Sequence, residues 1–188
     1  SLRCRHASSV SFAALGAEYT VTASAVTTYP EQFNRSTGEI DLLYRGDANA
    51  WYWMTSGNDG ASAGGWTVHA NPFFSDPTQC YVRARPISDG LYLCRASTNP
   101  NLDNASAYSF TVNTSTGAVK NAAGTTVANF ITGSPKATAV EADVDLFYAP
   151  GTGNSSSAGN LADNLEWGVI GVQNNDNQFL DIYETVWD

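Results

Sequence analysis

A chain of 188 residues is long enough to form one domain with a well-buried core. Only 14% of the residues are charged, against roughly 25% in an average domain, which argues against a helical bundle with Glu- and Lys-rich faces. The net charge of −9 disfavours nucleic acid as a partner, because binding to phosphates requires clustered Lys and Arg.

Strand-like runs recur along the chain between Gly- and Pro-containing turns, and no segment has the i, i+3, i+4, i+7 apolar spacing of an amphipathic helix. The predicted strands cover residues 9–15, 18–28, 39–44, 50–55, 65–70, 79–85, 91–96, 107–113, 125–132, 137–148, 165–173 and 179–187. This pattern predicts a single all-β domain over residues 1–188, a jelly-roll-like antiparallel β-sandwich, with a β-barrel as the alternative. No apolar run is long enough to predict a membrane span.

Four N-x-[ST] sequons lie in polar, turn-like segments, and each marks an acceptor for an N-linked glycan. Their asparagines are Asn34, Asn104, Asn113 and Asn154. The chain also starts at Ser1 without an apolar leader, which fits a mature exported form. We therefore expect a secreted glycoprotein, located outside the cell or in a cell wall.

The three cysteines lie far apart in the sequence, at Cys4, Cys80 and Cys94. Folding the segment symmetrically about 88–90 places Cys80 opposite Cys94, which predicts a disulfide across a β-hairpin. Cys4 is then free, paired between chains, or the true partner of one of the others. The sequence contains no Cys/His cluster of the kind that forms a structural zinc site.

Two strands carry rows of carboxylates. Alternation places Glu39 and Asp41 on one face of their strand, and it groups Glu141, Asp143 and Asp145 in the same way. Glycosidases need two carboxyl groups roughly 5.5 Å apart for retention or about 6.5–9.5 Å apart for inversion. These rows are therefore candidate catalytic residues of a glycosidase, or alternatively solvated faces of outer strands.

The segment 39–44 reads Glu-Ile-Asp-Leu-Leu-Tyr and resembles the front of the E-I-D-x-x-E strand motif of laminarinase-type jelly-roll glucanases. In that family the first Glu is the nucleophile and the last is the acid/base. Tyr44 stands where the second Glu belongs, and the likeness covers only six residues, so we do not assign the chain to the family.

Calcium is the one cofactor that the sequence offers oxygen ligands for. Asp143, Asp145, Asp181 and the Asn/Asp cluster at 174–177 supply carboxylate and amide oxygens, although the spacing is not that of an EF-hand. We assign no metal on this basis.

Aromatic residues give the second indication of function. Trp51 and Trp53 alternate with Tyr52 and so share a face, and Trp66 follows in a later strand. Exposed Trp rings stack against the C–H faces of sugars, which makes these three tryptophans candidate ligand-binding residues. The alternative is that their rings pack in the core of the sandwich, as large aromatic residues commonly do. The leading hypothesis is a non-catalytic surface or wall protein that binds a polysaccharide. Its rivals are a jelly-roll glycoside hydrolase and a structural subunit that self-assembles as a homo-oligomer.

Overall fold

The computed structural model describes residues 2–5, 17–22, 30–46, 49–98 and 106–149, together with the backbone of three further strands between residues 154 and 186. The described residues are almost entirely β-strands in antiparallel sheets, and neither large sheet closes on itself. This confirms the predicted all-β class and favours the sandwich over its alternative. The described part of the chain contains no helix with the length and apolar character that a membrane crossing requires.

Sixteen strands are described, with short 3₁₀ helices at Ala63–Gly65 and Glu141–Asp143. The strands are β1 (Leu2–Cys4), β2 (Tyr19–Thr22), β3 (Glu31–Asn34), β4 (Ile40–Arg45), β5 (Ala50–Ser56), β6 (Trp66–Val68), β7 (Phe74–Ser75), β8 (Cys80–Ser88), β9 (Leu91–Thr98), β10 (Ala107–Asn113), β11 (Ala118–Lys120), β12 (Thr126–Asn129), β13 (Asp145–Tyr148), β14 (Asn154–Ser156), β15 (Trp167–Asn174) and β16 (Phe179–Val186).

Two larger sheets form the body of the fold. The first has the order β3-β4-β5-β6, with β7 also pairing to β5, and the second has the order β12-β11-β10-β9-β8, with β13 pairing to β10. A two-stranded sheet of β1 and β2 and a three-stranded sheet of β14, β15 and β16 complete the described strands. Most connections are hairpins, which is the local pairing that short turns between neighbouring strands favour.

The main core lies between the two larger sheets. Leu43 and Trp53 from the first sheet share one buried cluster with Tyr92 and Phe110 from the second. The ring centroids of Trp53 and Tyr92 are 4.6 Å apart, which is contact distance for aromatic pairs. Because alternate side chains of a strand point to opposite faces, these residues mark the inner faces of a sandwich.

The first sheet is also covered on its other face. Leu42, Tyr44 and Met54 form a second buried cluster, against which Leu2 of β1 and Val21 of β2 pack. Every residue of β4 is therefore buried, whichever way its side chain points.

Several strand predictions need correction. The predicted strand at 137–148 is wrong over most of its length, because Glu141–Asp143 is a 3₁₀ helix and only Asp145–Tyr148 is extended. The sequence pattern also missed β1, β3, β7, β11 and β14. The predicted strand at 9–15 lies outside the described residues.

The predicted disulfide is wrong as well. The hairpin does turn at Asp89–Gly90, but its register places Cys94 opposite Ala84 and Cys80 opposite Thr98. Both are free, buried thiols. Burial, with the negative charge of Asp76 as a smaller cause, raises the pKa of Cys80 to about 12, and burial raises that of Cys94 well above its ordinary value.

Glu31 links the two larger sheets along one side of the sandwich. It lies on β3, at the end of the first sheet, and its carboxylate accepts a hydrogen bond from the backbone N–H of Ala84 on β8, at the end of the second sheet (3.0 Å). Arg83 on β8 donates to the other carboxylate oxygen at 2.6 Å. The two sheet ends are therefore joined through one side chain.

Candidate functional site

Trp51 and Trp53 share a face, as alternation predicts, but that face is the core. Both side chains are 0% exposed, and the indole N–H of Trp51 donates to the backbone carbonyl of Cys80 at 3.2 Å. Rings enclosed in this way cannot stack on a ligand at the surface. Their assignment as ligand-binding residues is therefore wrong.

Trp66 has a different environment, because it is half-buried on the short strand β6 and lines a pocket of about 240 Å³. The turn before it supplies Asp59 and Gly60 to the same pocket, and β4 supplies Ile40. Gly60 has φ +64°, and a Cβ there would lie 3.4 Å from Ile40 and 3.5 Å from Trp66. The left-handed backbone therefore favours a glycine at this position, whereas a Cβ would make only ordinary van der Waals contacts with the wall.

The indole of Trp66 is held by its polar edge. Its N–H donates to the hydroxyl of Tyr19 at 3.1 Å, and that hydroxyl donates to the carbonyl of Gly60. Burial raises the pKa of Tyr19, so the phenol stays protonated and able to donate. This relay fixes the ring in place before any ligand arrives.

The part of β3 that lines the pocket is polar. Gln32 and Asn34 are exposed on β3 and line the pocket, while Phe33 between them packs against Trp53 with ring centroids 5.8 Å apart. The side-chain N–H of Gln32 donates to Oδ1 of Asn34 at 3.0 Å. Strand alternation thus sends one residue to the core and presents two amides at the pocket.

The pocket is completed by Cys4 and Arg5 at the end of β1. Arg5 lies 3.7 Å from Glu18, so its charge already has a partner. The site thus combines one indole, two amides and one carboxylate with a paired guanidinium, which suits a neutral, polyhydroxylated ligand.

Asp41 is not an accessible carboxylate. It is 0% exposed, and its Oδ2 accepts from the hydroxyls of Tyr92 (2.6 Å) and Thr114 (3.1 Å) while Oδ1 accepts from Thr55 (2.6 Å). The guanidinium of Arg35 binds both oxygens, through Nε at 2.8 Å and Nη2 at 2.9 Å. Five donors around one carboxylate make it a structural link between the two sheets, not a nucleophile.

Glu39 and Tyr44 give the glycosidase motif no further support. Glu39 is partly exposed and pairs with the buried Arg35 at 2.6 Å. Burial, with a smaller contribution from Tyr52, raises the pKa of Tyr44 to about 12, so its phenol is a poor proton donor. The pair Glu39 and Asp41 is therefore wrong as a catalytic pair. Since Asp41 faces the core, the alternative of a solvated row is wrong for it too.

The second acidic row does not lie along one strand, because Glu141 and Asp143 belong to the 3₁₀ helix and Asp145 begins β13. Glu141 accepts a hydrogen bond from Tyr108 at 2.6 Å, and a hydrogen bond with the nearly buried carboxyl of Asp76, aided by burial, raises the pKa of Glu141. Glu141 is therefore engaged within the fold by Tyr108 and Asp76.

Asp143 and Asp145 are also engaged. Asp143 pairs with Lys136 and accepts from the backbone N–H of Val140 at 2.8 Å, and Asp145 accepts from the N–H of Ala122. Among the residues that the structure describes, no three His, Cys, Asp or Glu side chains form a group that could hold a metal ion. The cluster at 175–177 lies outside the described residues, as does the side chain of Asp181.

The sequons lie in different settings. Asn34 is exposed and lines the pocket, whereas Asn113 is half-buried and accepts from the N–H groups of Ser115 (3.1 Å) and Thr116 (2.9 Å) through Oδ1. Asn104 lies outside the described residues, and only the backbone of Asn154 is described.

Sequence reasoning missed most of the pocket and all the partners of Asp41. The pocket draws on β1, β3, β4, β6 and a turn, which are brought together only by the sheets. The one local signal for the partners of Asp41 was Arg35, a cation between two polar residues in a chain with few cations.

Comparisons with models of protein families, with characterised proteins and with solved structures find no significant match to this chain.

Proposed function

We propose that this chain is a secreted, N-glycosylated surface or wall protein that binds carbohydrate without cleaving it, through the pocket at Trp66. The observation that carries the proposal is that a fixed indole and the amides of Gln32 and Asn34 line the same pocket. Secretion and glycosylation are supported by the four sequons in the sequence.

The chemistry of the pocket fits a sugar ring. An indole offers an apolar, electron-rich surface to the C–H groups of a pyranose, and amides donate to and accept from its hydroxyls. Because Trp66 is already held by Tyr19, little side-chain entropy is lost when a ligand binds. A pocket of about 240 Å³ holds roughly one ring, so single units should bind with a Kd of about 1 mM, near −4 kcal/mol. Tighter binding to a polymer would come from repeated units.

The same lining argues against cleavage. Glycoside hydrolysis needs a pair of carboxyl groups on either side of the bond, and among the residues that the structure describes Asp59 is the one carboxylate that lines this pocket. The other candidate carboxylates are buried or paired within the described fold.

The test uses protein produced without glycosylation, so that no attached sugar competes. Glycan-array binding and titration of the best polysaccharide should be at least about tenfold weaker for Trp66→Ala. Val68→Ala is the matched control, since Val68 lies on the same strand, is exposed and does not line the pocket.

Equal binding by the wild type and Trp66→Ala would refute this site. A reducing-sugar assay on the bound polymer tests catalysis, and sugar release that disappears in Asp59→Asn would overturn the non-enzymatic assignment.

A further inference from the structure

The pocket contains a glycosylation acceptor of its own. Asn34 begins the sequon Asn34-Arg35-Ser36, and its exposed side chain lines the same pocket as Trp66. A modification site and an aromatic sugar-stacking surface therefore share one cavity.

The amide of Asn34 is oriented with its nitrogen available for a glycan. Its Oδ1 accepts from Gln32 at 3.0 Å, which leaves Nδ2 as the atom that makes no hydrogen bond to any residue the structure describes. Nδ2 is the atom that carries an N-linked glycan. Ser36, the third sequon residue, lies at the exposed turn that follows, where its hydroxyl donates to the carboxylate of Asp89.

We propose that the first N-acetylglucosamine of a glycan on Asn34 occupies the pocket and packs against Trp66, so that glycosylation of Asn34 excludes an external carbohydrate ligand. This inference rests on the proposed function for its consequence, the loss of ligand binding. The seating of the attached sugar stands independently of that function.

The modification is an ordinary group transfer. A bond forms between Nδ2 of Asn34 and C1 of the sugar, and the C1–oxygen bond of a polyprenyl diphosphate-linked oligosaccharide breaks. The amide loses one proton, and the polyprenyl diphosphate leaves with the bonding electrons.

The covalent attachment of the sugar to Asn34 favours it over an external sugar unit in the pocket. A sugar attached to the pocket wall has an effective concentration of about millimolar or more, whereas a free unit binds with a Kd near 1 mM. The tethered sugar also cannot diffuse away. The glycosylated form should therefore bind external ligand at least about twofold more weakly, and binding should fall as the fraction of chains modified at Asn34 rises.

Asn113 provides an internal comparison. It starts a second sequon and does not line the pocket. Ser36→Ala and Ser115→Ala each abolish one sequon and keep both asparagines, so they form a matched pair. Ser36→Ala should restore binding, and Ser115→Ala should not.

The experiment uses full-length protein secreted by a eukaryotic host fed with N-acetylglucosamine that is ¹³C-labelled in the acetyl methyl. Glycopeptide mapping should find Asn34 modified. The NMR signal of one acetyl methyl should be shifted upfield by the indole ring, and the shift should disappear in Trp66→Ala and in Ser36→Ala but persist in Ser115→Ala. The wild-type glycoform should bind polysaccharide at least about twofold more weakly than Ser36→Ala, because a tethered sugar at an effective concentration equal to its Kd fills half of the pockets.

An unmodified Asn34, or an acetyl methyl signal that is the same with and without Trp66, overturns the inference. Equal binding by the wild-type glycoform and by a Ser36→Ala protein that binds also overturns it. If the glycan-free protein binds no polysaccharide while the Trp66-dependent shift is present, the seating of the attached sugar stands and the proposed function fails.

Discussion

The buried carboxylate of Asp41 allows a quantitative test of what holds the two sheets together. Asp41→Asn keeps the shape of the side chain but replaces one acceptor oxygen with an N–H₂ group. Arg35, whose side chain is 8% exposed, then loses its main counter-charge and one of the two oxygens that it binds. Its donors cannot be reversed, although the hydroxyls around Asp41 can rotate.

The expected cost follows from burial. Removing one partner of a buried ion pair costs about 3–5 kcal/mol when the remaining charge is uncompensated, and the lower end applies here because Glu39 still pairs with Arg35. Burial is the largest single effect on Arg35 and would lower its pKa, yet the hydrogen bonds and charges of Asp41 and Glu39 together outweigh it and raise the pKa overall. We expect Asp41→Asn to lose about 3 kcal/mol, a large part of the roughly 5–15 kcal/mol that keeps a domain folded.

Two further variants set the scale. Tyr92→Phe removes one hydrogen bond to the charged Asp41 and should cost about 1.5–3 kcal/mol. Glu39→Gln removes the partly exposed partner of Arg35 and should cost at most about 1 kcal/mol.

Urea unfolding, followed by the fluorescence of the buried Trp51 and Trp53, gives the free energies of unfolding. The three losses should rank Asp41→Asn, Tyr92→Phe, Glu39→Gln. A loss below about 1 kcal/mol for Asp41→Asn would refute the view that this carboxylate anchors the sheets.

Two other predictions follow from carboxyl and thiol groups. The raised pKa of Glu141 means that its protonated form is favoured on folding, so its contribution to stability is complete below the ordinary value of 4.5 and is lost as pH rises through the raised pKa. Thermal unfolding of Glu141→Gln, in which an amide replaces the protonated carboxyl, should therefore lose stability less steeply than the wild type across that range. Burial of Cys80 and Cys94 predicts that a thiol reagent labels neither in the native protein and both in urea. Recovery of a Cys80–Cys94 peptide without reduction would contradict the hairpin register.

Alternation along strands was predicted correctly, and the buried face was not. The alternation in the sequence shows that Trp51 and Trp53 share one face of their strand and that the side chains of Asp41 and Leu42 point to different faces of theirs. The alternation of polar and apolar residues along a strand identifies its solvent-facing side only when one face of the sheet is exposed to water. Here β4 and β5 are covered on both sides, so polar and aromatic residues on the predicted outer face lie in the interior.

Neither the register of a hairpin nor a site assembled from distant segments could be predicted from the sequence. The hairpin of β8 and β9 contains an irregularity between Pro86 and Ser88, and a symmetric fold of the sequence misplaces Cys80 relative to Cys94. β3 has the unremarkable sequence Glu-Gln-Phe-Asn and is a strand because β4 pairs with it. Without β3 the polar wall of the pocket could not be foreseen.

The side chain of Glu31 also bears on how copies of this chain could meet. Strands at the ends of sheets expose N–H and C=O groups that can pair with another molecule. Glu31 already occupies the outward N–H of Ala84 on β8 and holds Arg83 beside it. The ends of the two sheets at β3 and β8 thus shield one another, so among the described strands of these two sheets the edges left for strand addition by a second copy are β6 and β7 or β12 and β13.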